Sequence, residues 1–223
     1  MSDLYVKAQQ QNVSRATDGQ WTALRGLRDG SVITVPWFQA LVLEGRVFSA
    51  MAPLVIHGTA LTIMATYADT SKTLYADIPD GTAALCLQGQ LEFQATGGAV
   101  VNAYLFTSGT LNGTGGSETL VTPVNLRLDA PVATAATVAH TATSETDNVS
   151  AAAGIIALAS FSTGQDLDAT SIEPVVLRYE AARVGVTPVL VDAASINVVG
   201  FTTTSGTGRA FITWAELPES AFT

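Results

Sequence analysis

One stretch of the chain constrains its fold more than any other: AALCLQGQLEFQA, residues 83–95. Apolar side chains recur at every second position there, and a period of two over this length is typical of a β-strand with one face in a core. The side chains expected to share that core are Leu85, Leu87, Leu91 and Phe93. The polar side chains between them should face away from it: Gln88, Gln90 and Glu92.

The strand is punctuated by residues with specific backbone roles. Pro79, Asp80 and Gly81 precede it and predict a tight turn, because proline fixes φ, aspartate hydrogen-bonds the nearby backbone and glycine accepts a positive φ. Gly89 in the middle of the strand indicates a bulge or a close approach by another part of the chain.

Further strand patterns follow at short intervals, joined by segments rich in Gly, Ser and Thr. They cover residues 100–106, 124–128, 175–180, 196–201 and 210–217. The Ala/Thr-rich stretch after residue 129 favours extended chain, since Thr and Val are stiff at χ1 and suit strands. Many short strands without helical periodicity predict an all-β fold, a single antiparallel β-sandwich or barrel.

SGTGR, residues 205–209, combines two glycines with an arginine and could suggest a phosphate loop. A phosphate site would place the glycines at the start of a helix, whose amides bind the anion. Here the strand-like Phe211-Ile212-Thr213-Trp214 follows. The pattern predicts the loop of a closing hairpin, residues 202–208, with Gly206 and Gly208 supplying positive φ.

The first 46 residues differ from the remainder of the chain. They carry five basic and four acidic residues, whereas residues 47–223 carry five basic and fifteen acidic ones. Ser31–Val35 is strand-like, and Trp37–Val47 fits either a strand or a short helix. Two units are therefore expected: an N-terminal arm and assembly segment, 1–46, and a β-sandwich, 47–223.

The arm is predicted to work outside its own sandwich, because a lone domain would leave its apolar side chains wet. Removing 1–46 should then leave a folded sandwich that assembles poorly. The residues predicted to form the assembly interface are Trp21, Arg25, Arg28, Trp37, Phe38 and Leu41.

No pattern in the sequence indicates chemistry. Cys86 is the single cysteine and His57 and His140 are the two histidines, which make no zinc set. Asp166 and Asp168 begin a stretch like a calcium loop, which lacks the later glycine and acid. The three tryptophans could stack on sugars, but core or interface packing is their usual role. We therefore expect a protein that is not an enzyme and needs no metal or other cofactor.

The amino-acid composition indicates which classes of partner the chain can have. Charged residues make up only 13% of the chain, about half the usual quarter, so other subunits are expected to cover part of its surface. The acidic sandwich disfavours nucleic acid, which only the N-terminal arm could contact. The sequence shows neither a signal peptide nor a membrane-spanning stretch, and it predicts synthesis in a cytoplasm.

Three elements in this order, PWFQALVLEGRVFSA, IPDGTAALCLQGQLEF and INVVGFTTTSGTGRAFITWAELP, resemble the jelly-roll virion proteins of bacterial viruses. The resemblance spans roughly residues 40–218. It implies two four-stranded antiparallel sheets, an arm that reaches a neighbour, and location in the virion after synthesis in the host cytoplasm. The implied function is a structural capsid subunit whose partners are copies of itself and other virion proteins. A receptor- or glycan-binding head or fibre, or a capsid decoration module, is the alternative.

Overall fold

A computed structural model describes most of the chain. The described residues are 37–53, 61–63, 71–95, 100–112, 118–129, 132–142, 154–162, 174–202 and 206–221. The predicted positions Trp21, Arg25, Arg28, Ser31–Val35, His57, Asp166 and Asp168 lie outside these ranges.

The described part is an antiparallel β-sandwich, as the strand patterns predicted, with two short α-helices and one short 3₁₀ helix (Glu219–Ala221). The α-helices are α1 (Trp37–Leu43) and α2 (Ala181–Val184). The strands are β1 (Val47–Ala52), β2 (Leu61–Ile63), β3 (Lys72–Ile78), β4 (Thr82–Ala95), β5 (Val101–Ser108), β6 (Thr119–Leu120), β7 (Val124–Asn125), β8 (Thr137–Ala142), β9 (Ile156–Ser162), β10 (Pro174–Glu180), β11 (Val189–Leu190), β12 (Ala194–Thr202) and β13 (Gly206–Pro218).

The strands form two sheets that enclose one main core. The first sheet has the order β10-β4-β13-β1-β7, with β11 beside β4 and β2 beside β13; the second has the order β6-β8-β3-β12-β5-β9. Between them lies a cluster of buried side chains that includes Phe48, Leu74, Leu105, Ile196 and Trp214. The rings of Phe48 and Trp214 lie 6.0 Å apart near the centre of the first sheet.

The long strand β4 changes face at a β-bulge, which corrects the prediction drawn from its alternation. Its pairing with β13 shifts by one residue, because Gln88 faces Thr213 but Cys86 faces Trp214, leaving Leu87 extra. Cys86 and Leu91 therefore point into the main core, while Leu85 packs in a separate cluster on the outer face of the sheet, with Leu87 against it. The one-core prediction was wrong for Leu85 and Leu87 because an extra residue inverts the alternation.

Beyond the bulge the prediction for β4 holds. Leu91 is fully buried, and Gln88, Gln90 and Glu92 are only partly buried on the opposite face. The side chain of Phe93 lies outside the described part of the chain.

Gly89 allows the two sheets to approach, as its mid-strand position indicated. A Cβ atom at residue 89 would lie 2.5 Å from Cδ2 and 2.8 Å from Cδ1 of Leu105, which is itself buried on the facing sheet. Only glycine fits this spacing without movement of Leu105.

Replacing Gly89 by Ala is therefore expected to lower the free energy of unfolding by about 1–3 kcal/mol, the usual cost of overpacking a core. Urea denaturation provides the measurement. The double variant Gly89→Ala/Leu105→Ala should lose less stability than the sum of the losses in the two single variants, because the smaller side chain at residue 105 removes the clash. Strict additivity would contradict the contact.

The turn before β4 forms as predicted. Gly81 has φ of 78°, its amide donates to Asp80 Oδ1 at 3.0 Å, and the Thr82 amide donates to the Pro79 carbonyl oxygen at 3.3 Å. The turn carries the chain from the second sheet to the first.

The closing hairpin does not form. β12 pairs with β3 and β5 in the second sheet, whereas β13 pairs with β4, β1 and β2 in the first. The connection between them thus crosses from one sheet to the other. Gly206 and Gly208 are paired residues of β13, so their predicted role as residues of a hairpin turn was also wrong.

Residues 37–46 form part of the sandwich. Leu41 on α1 is only 5% exposed and packs with Val47, Leu85 and Leu217 on the outer face of the first sheet, a small second core. The segment Trp37–Val47, which fits either a strand or a short helix by sequence, is helical over Trp37–Leu43. Removing residues 1–46 would therefore strip a covering helix from the sandwich, although the boundary at Val47 coincides with the start of β1.

A long segment, residues 109–155, links β5 to β9; we call it the β5–β9 connection. It contributes β7 to one edge of the first sheet and the pair β6-β8 to one edge of the second. Ala136, Val138 and Ala139 are buried there, so the Ala/Thr-rich stretch is extended and packed, as predicted, over its described residues.

Buried polar groups fix the start of the connection to the second sheet. The amide and side-chain nitrogens of Asn112 donate to the Asp77 carboxylate at 2.8–3.1 Å. Ser195 Oγ donates to the Thr110 carbonyl oxygen at 2.8 Å, and Asn197 Nδ2 donates to Ser195 Oγ at 2.9 Å. Hydrogen bonds to a charged acceptor are among the stronger ones, so Asp77 is an anchor for this segment.

Candidate functional site

A pocket of about 710 Å³ opens at one end of the sandwich. Five parts of the chain form its walls: the turn after α1, strand β1, the turn into β4, the β5–β9 connection and the end of β13. The lining residues on these parts are Glu44, Gly45, Arg46, Phe48, Gly81, Thr82, Val132, Ala133, Glu216, Leu217 and Pro218.

Glu216 is the buried acid of this pocket. It follows Trp214 on the core side of β13, and its Oε1 accepts from Trp214 Nε1 at 2.8 Å. The carboxylate also accepts from the Ala135 amide at 2.8 Å, from the Ala136 amide at 3.3 Å and from the Thr134 hydroxyl. Four donors occupy the carboxylate, so its role is to hold residues 134–136 of the connection against the sandwich.

The turn after α1 contributes an ion pair to the pocket wall. Arg46 Nε lies 3.2 Å from Glu44 Oε2 at the surface, and the Arg46 carbonyl oxygen accepts from the Glu216 amide at 2.9 Å. The described lining therefore combines an acid committed to backbone amides with a paired guanidinium. His, Cys and Lys are missing from that lining, and so is any arrangement of a base beside a nucleophile.

Three carboxylates gather next to the pocket: Asp80, Asp192 and Glu219, with oxygens within 4.8 Å of one another. They come from the turn before β4, the turn before β12 and the residue after β13. Oxygen ligands of this kind suit Ca²⁺, which takes six to eight of them, and the trio offers three. Partial desolvation, repulsion from Asp192 and Asp80, and a hydrogen bond to Asp192 together raise the pKa of Glu219.

Replacing Asp192 by Asn is expected to raise the melting temperature at neutral pH. A raised pKa of Glu219 means that the folded chain loses stability as the pH rises above the ordinary glutamate pKa of about 4.3. Removing the neighbouring charge relieves that loss. The gain should vanish below about pH 4, where Glu219 is protonated, and should shrink in high salt.

Thermal unfolding monitored by circular dichroism across this pH range provides the test. Asp192 has φ of 63°, a left-handed conformation that Asn also tolerates, so the substitution leaves the backbone unstrained. Asp129→Asn is the matched control, because Asp129 is an exposed carboxylate paired with Arg127 at 3.0 Å and should give no gain. A gain that persists unchanged at low pH would contradict the electrostatic account.

The predicted assembly residues divide into three groups. Trp21, Arg25 and Arg28 lie outside the described residues. Trp37 is 49% exposed and its ring packs edge-on against that of Phe38 at 6.2 Å, whereas Phe38 is itself partly buried. Leu41 is buried against its own sandwich, which corrects its assignment to an intermolecular interface.

The cysteine and the described histidine both lie in strands of the sandwich. Cys86 is fully buried, and burial raises the pKa of its thiol to about 12, so it is an inert core residue as predicted. His140 lies in β8 beside Leu74, and burial lowers the pKa of its imidazole. Neither belongs to a cluster of candidate metal ligands among the described residues.

Sequence reasoning missed a group of exposed apolar side chains among the described residues. It lies on α1 and the β5–β9 connection: Leu43, Val124, Leu126, Leu128 and Val132. The alternation in VNLRLD predicts an ordinary strand, whereas only Val124–Asn125 is a strand. Three large apolar residues on a two-residue edge strand and its continuation were the available signal.

Comparison with protein-family models, with curated proteins and with solved structures finds no match to this chain. No helix in the described part of the chain has the length and apolar character needed to cross a membrane.

Proposed function

We propose that the sandwich is a jelly roll. Eight strands remain when β2, β11 and the strands of the β5–β9 connection are set aside: β1, β3, β4, β5, β9, β10, β12 and β13. Numbered one to eight along the chain, they have the order 1-8-3-6 in the first sheet and 2-7-4-5 in the second. Successive strands alternate between sheets except at the fourth and fifth, which gives the paired Greek keys of a jelly roll.

We propose further that the chain is a non-enzymatic structural subunit of the particle of a bacterial virus, a capsid protein that assembles with copies of itself. The strand order is the observation that carries this proposal, because viral shell proteins are a principal use of the double-sheet jelly roll. The low charge content and the exposed apolar group on α1 and the β5–β9 connection support assembly, since such surfaces usually mark a partner site.

The remaining partners follow from the same proposal. Other virion proteins would contact surfaces of the sandwich, and residues 1–46 are the part of the chain suited to contact a genome. The Glu216 carboxylate already accepts hydrogen bonds from the protein, and the Arg46 guanidinium is paired with Glu44. Both groups are thus engaged in holding the fold together, which supports a structural role for the pocket residues. We therefore expect neither catalysis nor an obligatory cofactor.

Electron microscopy of the purified full-length chain tests the proposal, together with light scattering over a wide range of concentration. The expected result is closed or sheet-like assemblies with a repeating subunit. A chain that stays monomeric at the highest concentrations would overturn the structural role.

A receptor- or glycan-binding head is the second candidate, since lectins also use the jelly roll. One observation favours it: the rings of Tyr104 and Phe201 stack at 6.5 Å on the outer face of the second sheet, and Tyr104 is partly exposed. Nearby, Ser162 donates a hydrogen bond to Asn102. Retention of the chain on a glycan array, lost in Tyr104→Ala but kept in Trp37→Ala, would favour this function; no retention would exclude it.

A further inference from the structure

Five exposed apolar side chains flank α1 at the edge of the first sheet. We name them the flank patch: Leu43, Val124, Leu126, Leu128 and Val132. Leu128 is 76% exposed and Leu126 is 44% exposed. Val124 lies opposite Ser49 in β1, and the Leu126 amide donates to the Val47 carbonyl oxygen at 2.9 Å, so the patch continues the outer face that α1 covers.

Hydrogen bonds hold the flank patch in place. Asn125 Nδ2 donates to the carbonyl oxygens of Gly45 at 2.8 Å and Val132 at 3.1 Å, and its Oδ1 accepts from the Arg127 amide at 2.8 Å. Arg127 Nη1 donates to the Leu43 carbonyl oxygen at 3.0 Å. The apolar side chains are thus displayed on a preorganised support, which reduces the entropy lost on binding.

The charges around the flank patch neutralise each other. Arg127 pairs with Asp129 at 3.0 Å, and Arg46 pairs with Glu44 at 3.2 Å. The whole chain carries a net charge of −9, so two copies repel each other over most of their surfaces. Because these two ion pairs cancel the charges of their own residues, two copies can approach at the flank patch with apolar side chains in contact.

A second group of exposed apolar side chains provides the contrast. It lies around α2 and β11, at the opposite edge of the same sheet: Val184, Val186, Val189 and Val191. Val191 adjoins Asp192, a member of the acidic trio. Contact between two copies at this edge would bring the unneutralised carboxylates together, which disfavours it.

We infer that the flank patch binds a second copy of this chain. The inference rests on the proposed structural function and names the surface through which copies associate. Apolar burial dominates the contact, so moderate salt should leave it intact or strengthen it by screening the net repulsion.

The test compares the full-length chain with two sets of variants by light scattering and analytical ultracentrifugation. Leu126→Ser/Leu128→Ser should weaken self-association at least about tenfold. Val186→Ser, which removes a similarly exposed (73%) side chain at the opposite edge, should leave it unchanged. Thermal unfolding confirms that each variant is folded.

A second variant tests the same surface in case Leu126→Ser/Leu128→Ser is too unstable to fold. Leu128→Cys introduces a reactive thiol into a chain whose own Cys86 is fully buried. Coupling a bulky maleimide to residue 128 should block association, whereas the same group on Val186→Cys should not.

The outcomes separate the two proposals. If the unmodified chain associates and the flank-patch variants associate equally well, the flank patch is not the contact and the structural function stands. Equal weakening by the Val186 variants would also overturn the flank patch. A chain that is monomeric under all conditions would overturn both proposals.

Discussion

Replacing Leu91 by Ala should lower the free energy of unfolding by about 2–5 kcal/mol, whereas Leu87→Ala should cost no more than about 1.5 kcal/mol. Leu91 is fully buried between the sheets, where its loss would leave a cavity. Leu87 sits at the bulge and is partly buried on the outer face, where solvent and α1 can close the gap. Urea denaturation of both variants provides the measurement.

This pair of substitutions separates two accounts of β4. If the alternation continued through residues 85–93 without a bulge, the two leucines would share one core and their costs would be similar. Equal losses would therefore contradict the observed register. Gln90→Ala is a suitable control, since its side chain is partly exposed on the outer face and should change stability little.

The existence of β4 could be predicted from sequence, but its bulge could not. Alternation reports which residues share a face only while each residue opposes one partner, and the partner strand β13 lies more than a hundred residues away. Gly89 indicated an irregularity, and the structure places the extra residue two positions earlier, at Leu87. The position of a register shift depends on pairing with a strand that is distant in sequence, so it cannot be predicted from the residues of β4 alone.

Local sequence patterns likewise could not predict which of the two sheets each strand joins. Turn chemistry at Pro79–Gly81 identified a real turn, because Asp80 and Gly81 act on their own backbone. The connection between β12 and β13 has equally good turn residues, yet it crosses between sheets. Gly- and Ser-rich composition permits reversal of the chain without specifying whether the next strand pairs with the previous one.

The buried acid of the candidate site, Glu216, could have been identified from its position in the sequence. In the alternation of β13, Glu216 shares a face with Ala210, Ile212 and Trp214, which are all fully buried. A carboxylate on the apolar face of a strand predicts a set of buried hydrogen-bond donors. Their identity, the backbone of residues 135–136 and the Thr134 hydroxyl, depends on tertiary packing and was not predictable.

Replacing Glu216 by Ala is expected to lower the free energy of unfolding by about 3–5 kcal/mol. The substitution leaves Trp214 Nε1, the Ala135 amide and the Thr134 hydroxyl without the carboxylate that accepts from them, whereas the Ala136 amide keeps Thr134 Oγ1 as an acceptor at 3.1 Å. Each orphaned buried group costs about 1–3 kcal/mol. Glu216→Gln should cost less than Ala but still destabilise, because the amide NH₂ of Gln cannot accept from the groups that donate to the second carboxylate oxygen of Glu216.

Hydrogen exchange can distinguish this anchoring role from a general loss of packing. In Glu216→Ala the amides of Ala135 and Ala136 should exchange faster even under conditions where the sheets stay protected, because Glu216 holds that part of the β5–β9 connection. Glu44→Gln removes a carboxylate from the same pocket that pairs only at the surface with Arg46, so stability and exchange should change little. If Glu216→Ala cost less than about 1 kcal/mol, or left exchange at Ala135 and Ala136 unchanged, the carboxylate would not be the anchor of this wall.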